Sequence, residues 1–182
     1  MSTVFPHLEK LSLVELDHNQ LAAFLDTLHD LNHLVEIHLY HLSPITEDYR
    51  PTILRTLLQA NDNQLTSILL DDLSSCLSVN GTDRYLNILQ LRINMRRVTD
   101  LPSLFAAVPS VRYLDVILVE DDDVPGQLGE INVSPLLYLT DFRLKSIRRC
   151  WTLEELLILL GSLPIVQEFS LYLSTDDQRF VD

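Results

Sequence analysis

The side chains that could do chemistry are unevenly spread along this chain. All six histidines, His7, His18, His29, His33, His38 and His41, lie in the first 41 residues. His29 and His33 are four apart, a spacing that suits a metal if both sit on one helix. The helix there is expected to end near Leu31, and His38 belongs to the following strand, so the six read as surface and capping histidines. Glu120-Asp121-Asp122-Asp123 offers four consecutive carboxylates before Pro125-Gly126. It lacks the spaced ligands of a calcium loop and reads as a solvated acidic rim that could steer a basic partner. Arg92 to Arg97 and Arg143 to Arg149 form two basic clusters, the second flanked by Phe142 and Trp151. Basic segments with aromatics can bind nucleic acid, but Phe142 is expected in the core and Trp151 packs ahead of a helix. No GxSxG, Walker loop or GxGxxG occurs, and the abundant Ser, His and Asp define no triad by spacing. The reading is a non-enzymatic chain with no cofactor.

Composition narrows the class further. The chain has 182 residues, 47% of them hydrophobic, enough for one domain over residues 1–182 with a sizeable core. The formal net charge is −13, which argues against broad phosphate binding and hence against a nucleic-acid partner. Residues 1–83 carry 3 basic and 12 acidic groups, residues 84–149 carry 9 and 8, and the last 33 carry 1 and 6. The middle is therefore the surface least repulsive to an acidic partner. No apolar run is long enough to span a membrane, and Met1 to His7 shows no secretory pattern. Cys76 and Cys150 are too few for a disulfide framework and read as reduced, buried thiols. Together these features predict an intracellular protein, cytoplasmic or nuclear.

The elements that must position any site repeat along the chain. An aliphatic residue, two spacers, a second apolar residue, one spacer and a third recur seven times. The sets are Leu8, Leu11, Leu13; Leu34, Ile37, Leu39; Leu65, Ile68, Leu70; Leu86, Leu89, Leu91; Val111, Leu114, Val116; Leu139, Phe142, Leu144; and Val166, Phe169, Leu171. Their starts are 26, 31, 21, 25, 28 and 27 residues apart. The alternation at the end of each set predicts a strand. Most linkers predict helices: Leu21, Phe24, Leu25, Leu28 and Leu31 share a face, as do Ile53, Leu54, Leu57 and Leu58 after Pro51. Thr99-Asp100 opens another, and Thr152 with Glu155 forms a capping box before the run Leu153 to Leu160. The linker from Leu73 to Tyr85 is weaker, and Asn80-Gly81 reads as a turn. Strands alternating with helices imply an α/β fold with a parallel sheet, and stacked units bury together what none could bury alone.

The seven sets resemble leucine-rich repeats, of the long, irregular kind that follows F-box domains. The segments Ser134 to Leu144 and Ser162 to Leu171 carry the likeness most closely, and it covers nearly the whole chain. It implies a solenoid, or horseshoe, with a parallel concave sheet and helices on the convex side. Such repeats place Asn three residues after the third apolar position; here only Asn94 fits, the others being Leu16, Leu42, Leu73, Val119, Ile147 and Ser174. Because Leu8 begins the first repeat, no F-box bundle is expected before it. Binding of a ubiquitin-ligase adaptor to this chain is therefore not implied. With polar caps missing at both ends, a truncated or free-standing scaffold is the competing reading, and a metal-binding role for the N-terminal histidines the lesser one.

In that fold the spacers around the last two apolar positions point out of the concave face. They are Lys10, Ser12, Val14; Glu36, His38, Tyr40; Ser67, Leu69, Asp71; Ile88, Gln90, Arg92; Tyr113, Asp115, Ile117; Asp141, Arg143, Lys145; and Glu168, Ser170, Tyr172. Tyr and Arg are favoured interface anchors. The expected partner-binding residues are Tyr40, Arg92, Tyr113, Asp115, Arg143, Lys145 and Tyr172, and the expected partner is a protein.

Overall fold

A computed structural model describes residues 7–28, 31, 33–80, 82–119, 128 and 134–174. Seven strands form one sheet in chain order, every neighbouring pair parallel. They are β1 (Lys10–Val14), β2 (Glu36–Tyr40), β3 (Ser67–Leu70), β4 (Gln90–Met95), β5 (Tyr113–Val119), β6 (Asp141–Cys150) and β7 (Glu168–Ser174). Helices α1 (His18–Leu25), α2 (Arg50–Asn63), α3 (Leu101–Ala107) and α4 (Leu153–Gly161) connect β1 to β2, β2 to β3, β4 to β5 and β6 to β7. The expected α/β class, with a parallel sheet of seven strands and helices, is what forms. Among the described residues no helix is long and apolar enough to cross a membrane.

Alternation decides which face is buried. Ile37, Ile68, Leu91, Leu114 and Phe142 are all fully buried and stand opposite one another in the strand register. Leu39, Leu70, Ile93, Val116 and Leu144 form the parallel inner row, none more than 2% exposed. Leu21 and Leu25 of α1, Leu54, Leu57 and Leu58 of α2, Leu104 and Phe105 of α3, and Leu156 and Leu159 of α4 join the same core. Each such side chain contributes roughly 1.5–3 kcal/mol of burial, largely offset by chain entropy.

The helix starts follow local chemistry. Asp17 caps α1, accepting from the Asn19 and Gln20 amides at 2.8 Å each, and Gln20 answers the Asp17 amide at 3.0 Å. Thr152 and Glu155 make the expected capping box. Thr99-Asp100 does not cap α3 through a side chain; the chain enters by a 3-10 turn, Val98–Asp100, with Pro102 in the first helical turn. The α1 pattern runs past the helix: Leu28 is buried in a turn beyond it, not on the helix itself. Pro51 opens α2 as expected, but Ala60 leaves helical geometry and Asn61, Asp62 and Asn63 are left-handed, with φ of 53°, 53° and 61°. Asn and Asp tolerate that region best among residues with a Cβ. Asn61 is fixed there because its amide donates to the Leu31 and Leu34 carbonyls at 3.0 and 2.9 Å.

Three expectations are corrected. The fourth apolar set is not Leu86, Leu89, Leu91: the register aligns Leu91 with Ile68 and Leu114, so the set is Ile88, Leu91, Ile93. Ile68, Leu91 and Leu114 then stand at equal intervals, and Leu86 is 66% exposed. A Leu-rich segment offers two overlapping matches, and only strand pairing chooses between them. Second, Asn94 consequently follows the third apolar position by one residue rather than three. Third, Cys150 is exposed and Cys76 only half-buried; the pairing of β6 with β7 shifts register between Lys145 and Cys150, which breaks the alternation that would have turned Cys150 inward. Gly81 of the expected turn lies outside the described residues.

Candidate functional site

The sheet's other face carries the polar spacers, and the register sets them in three rows. The first row runs Lys10, Glu36, Ser67, Gln90, Tyr113, Asp141, Glu168. The second runs Ser12, His38, Leu69, Arg92, Asp115, Arg143, Ser170. In the third, Val14 faces Tyr40, and Asn94, Ile117, Lys145 and Tyr172 follow across β4 to β7. Neighbours in a row are close enough for their side chains to interact. Ile88, expected on this face, is fully buried instead, because the corrected register places it before β4 on the core side. Ile117 lies in the third row yet is only 2% exposed, so it offers no contact surface.

Five of the seven expected anchors come together at the centre. Arg92 bonds through Nη2 to Asp72, and its Nε lies 3.4 Å from the Asp115 carboxylate. Lys145 Nζ reaches the other Asp72 oxygen at 3.2 Å. Tyr113 donates its hydroxyl to Asp115 at 3.4 Å, and the Arg143 guanidinium lies over the Tyr113 ring, 5.4 Å from its centre. Burial raises the Asp115 pKa, against the pull of Arg92 and Arg143. Burial, then the Asp115 charge, raises that of Tyr113.

Tyr40 belongs to a second group nearer β1. Lys10 pairs with Glu36 at 3.1 Å, Glu36 contacts His38 Nε2 at 2.7 Å, and His38 Nδ1 stands 3.3 Å from the Tyr40 hydroxyl. Burial would raise the Glu36 pKa, but the hydrogen bonds from Lys10 and His38 outweigh it and lower the value. Tyr172 stands apart on β7, opposite Lys145, and is 78% exposed.

A depression of about 570 Å³ joins the first two groups. Its walls include Tyr40 and His38 at one end and Tyr113 and Asp141 at the other, with Leu69 and Arg92 between. An apolar patch framed by tyrosines, a guanidinium and a carboxylate can receive an extended or helical segment carrying both apolar and polar side chains.

Sequence reasoning missed Asp72, which holds two of the anchors. It lies beyond the alternating part of β3, so no periodicity points to it; its one signal is the pair Asp71-Asp72 directly after an apolar set. His33, read with His29 as a possible metal pair, has its ring 5.8 Å from that of His7, while His29 lies outside the described residues. Among the described residues no three of His, Cys, Asp and Glu gather as a metal site would require. The acidic run 120–123 also lies outside them. Of the second basic cluster, Arg149 is turned inward, 6% exposed, and Phe142 and Trp151 are core residues. Comparisons with family models, curated proteins and solved structures find no match for this chain.

Proposed function

We propose that the chain is a non-enzymatic protein-recognition module of the leucine-rich-repeat type, a solenoid that binds a partner on the polar face of its sheet. One contrast carries the proposal. The inner rows are almost uniformly aliphatic, whereas each strand presents a different combination outward. Solubility alone would be served by any charged residues; this face exposes Tyr40, Tyr172 and Val14 as well. Exposed aromatics beside fixed charges are the composition of a recognition surface. Successive units are also tied together: the Asn94 amide, although one residue past the third apolar position rather than three, donates to the Asp71 and Ser74 carbonyls of the preceding connection at 2.8 Å each.

On the resemblance, the role is substrate recognition of the F-box receptor kind; a free-standing scaffold is the competing role. The test is comparative capture. The full chain and an Arg143→Glu, Tyr172→Ala variant are immobilised and the bound proteins quantified. Both side chains are exposed, but Arg143 also offsets the burial of Asp115, so capture is compared once circular dichroism shows the variant folded. We expect specific partners of the parent to drop about tenfold or more, the scale of losing one interface anchor. Equal capture by both chains sinks the assignment of this face.

A further inference from the structure

We propose that a second copy of this chain docks head to tail on the first, β1 of one copy pairing in parallel with β7 of the next. This does not depend on the recognition role of the polar face. The outermost strands expose what inner strands bury: Phe169 is 38% exposed while Phe142 beside it is fully buried. Phe169 stacks on Phe142 with one ring face, centroids 5.8 Å apart and planes 22° apart. Among the described residues no strand covers its other side. Leu11 and Leu13 of β1 are likewise half-buried, where their neighbours Ile37 and Leu39 are nearly closed to solvent. Leu157 and Leu160 of α4 and Ile165 after it are also exposed, at 60%, 43% and 45%.

The occupant is indicated by the rows. Each β7 position faces a β6 position in the register that β1 uses toward β2. Extending the rows by one strand sets the partner's Leu11 beside Phe169, its Leu13 beside Leu171 and its Ser12 beside Ser170. The first row gives the specificity. Glu168 stands next to Asp141, a like charge, so its open side favours a cation. Lys10 is the residue that β1 supplies there, and it already pairs with an acid, Glu36, on its other side. A contact of this kind joins two different surfaces, so it grows into a chain unless the rotation closes. The charge of −13 per copy opposes it at low salt. At physiological ionic strength a screening length of about 8 Å weakens that repulsion, while the buried apolar contact persists.

The test is sedimentation velocity on the full chain from low to high micromolar, at low and at physiological salt. We expect sedimentation to increase with concentration, more at the higher salt, with species beyond a dimer. Phe169→Glu should weaken association about tenfold or more, the scale of burying a large side chain. Glu168→Lys and Lys10→Glu should each associate several-fold more weakly alone. Mixed with separate fluorophores, those two variants should co-sediment, because the lysine introduced on β7 of one then meets the glutamate introduced on β1 of the other. If Phe169→Glu misfolds by circular dichroism, the charge-swapped mixture decides. A chain that stays monomeric throughout overturns the proposal, as does association that neither the Phe169 variant nor the charge swap alters.

Discussion

The carboxylate of Glu155 holds the guanidinium of Arg149, six residues upstream, in the protein interior, both side chains no more than 8% exposed. The same carboxylate accepts from the Thr152 amide at 3.1 Å, closing the α4 capping box, and from the Leu128 amide at 3.0 Å. Arg149 also stacks on Trp151, 5.0 Å from the ring centre. Removing one member of a buried pair strands the other charge and costs about 3–5 kcal/mol. Glu155→Leu should therefore lower stability by about that amount in urea. Arg149→Met combined with Glu155→Leu should cost less than Glu155→Leu alone, since an apolar pair of similar volume leaves no stranded charge. A double variant less stable than the single would show that the charge was not the issue. Thr152→Ala, which removes only the cap, should cost about 1 kcal/mol.

Asn94 ties two successive units through its two carbonyl contacts. Asn94→Leu keeps the approximate volume but leaves the Asp71 and Ser74 carbonyls without that donor. The expected loss is about 1–3 kcal/mol, read from the denaturation midpoint with unchanged slope. Asn61→Gly should be milder than Asn61→Ala, because both lose the amide bonds and only Ala also resists a φ of 53°.

Phe142 joins units by aromatic contact, edge-on to Phe105 at 6.2 Å and stacked on Phe169 at 5.8 Å. Phe142→Ala should cost about 3–5 kcal/mol. Because Phe169 stays 38% exposed while Phe142 is fully buried, Phe169→Ala should cost clearly less. Equal losses would mean that the outer strand is as well packed as the inner ones.

Acid should destabilise the fold through two carboxylates. The Glu36 pKa is lowered as described; for Asp71 burial pulls upward, but hydrogen bonds from Ser74 and the His41 amide prevail and lower it. A lowered folded value means stability that is present above the ordinary values of 4.5 and 3.8 and is lost as pH falls through the lowered ones. Asp115 acts oppositely: its raised folded value means that the fold binds its proton more readily, so falling pH relieves a penalty. Glu36→Gln should flatten the loss of stability between pH 5 and 2 (about that window), and Asp115→Asn should steepen it. Melting temperatures of the variants across this range decide both signs.

How much of this was legible beforehand depended on whether a feature is local. The capping box at Thr152 and Glu155 lies within four residues, and its chemistry is complete in the sequence. The core positions of Ile37, Leu70, Leu114 and Phe142 follow from alternation, because a strand turns successive side chains to opposite faces. The fourth set was misplaced by two residues because Leu86, Ile88, Leu89, Leu91 and Ile93 satisfy the spacing twice. Period alone cannot separate registers that differ by two, since both point the same way.

The candidate site shows the same division. Its tyrosines and arginines were readable as outward spacers once the strands were assigned. That Arg92, Asp115 and Lys145 share a network with Asp72 was not, because the residues are contributed by separate units and meet only across the parallel ladder. The sequence by itself determined the seven strands, the buried rows and the residue types facing outward, since these rest on period and local capping. Only the tertiary structure decided register, the partners of each charge and the exposure of the outer strands. These depend on which residues pairing brings side by side, and no spacing along one chain encodes that.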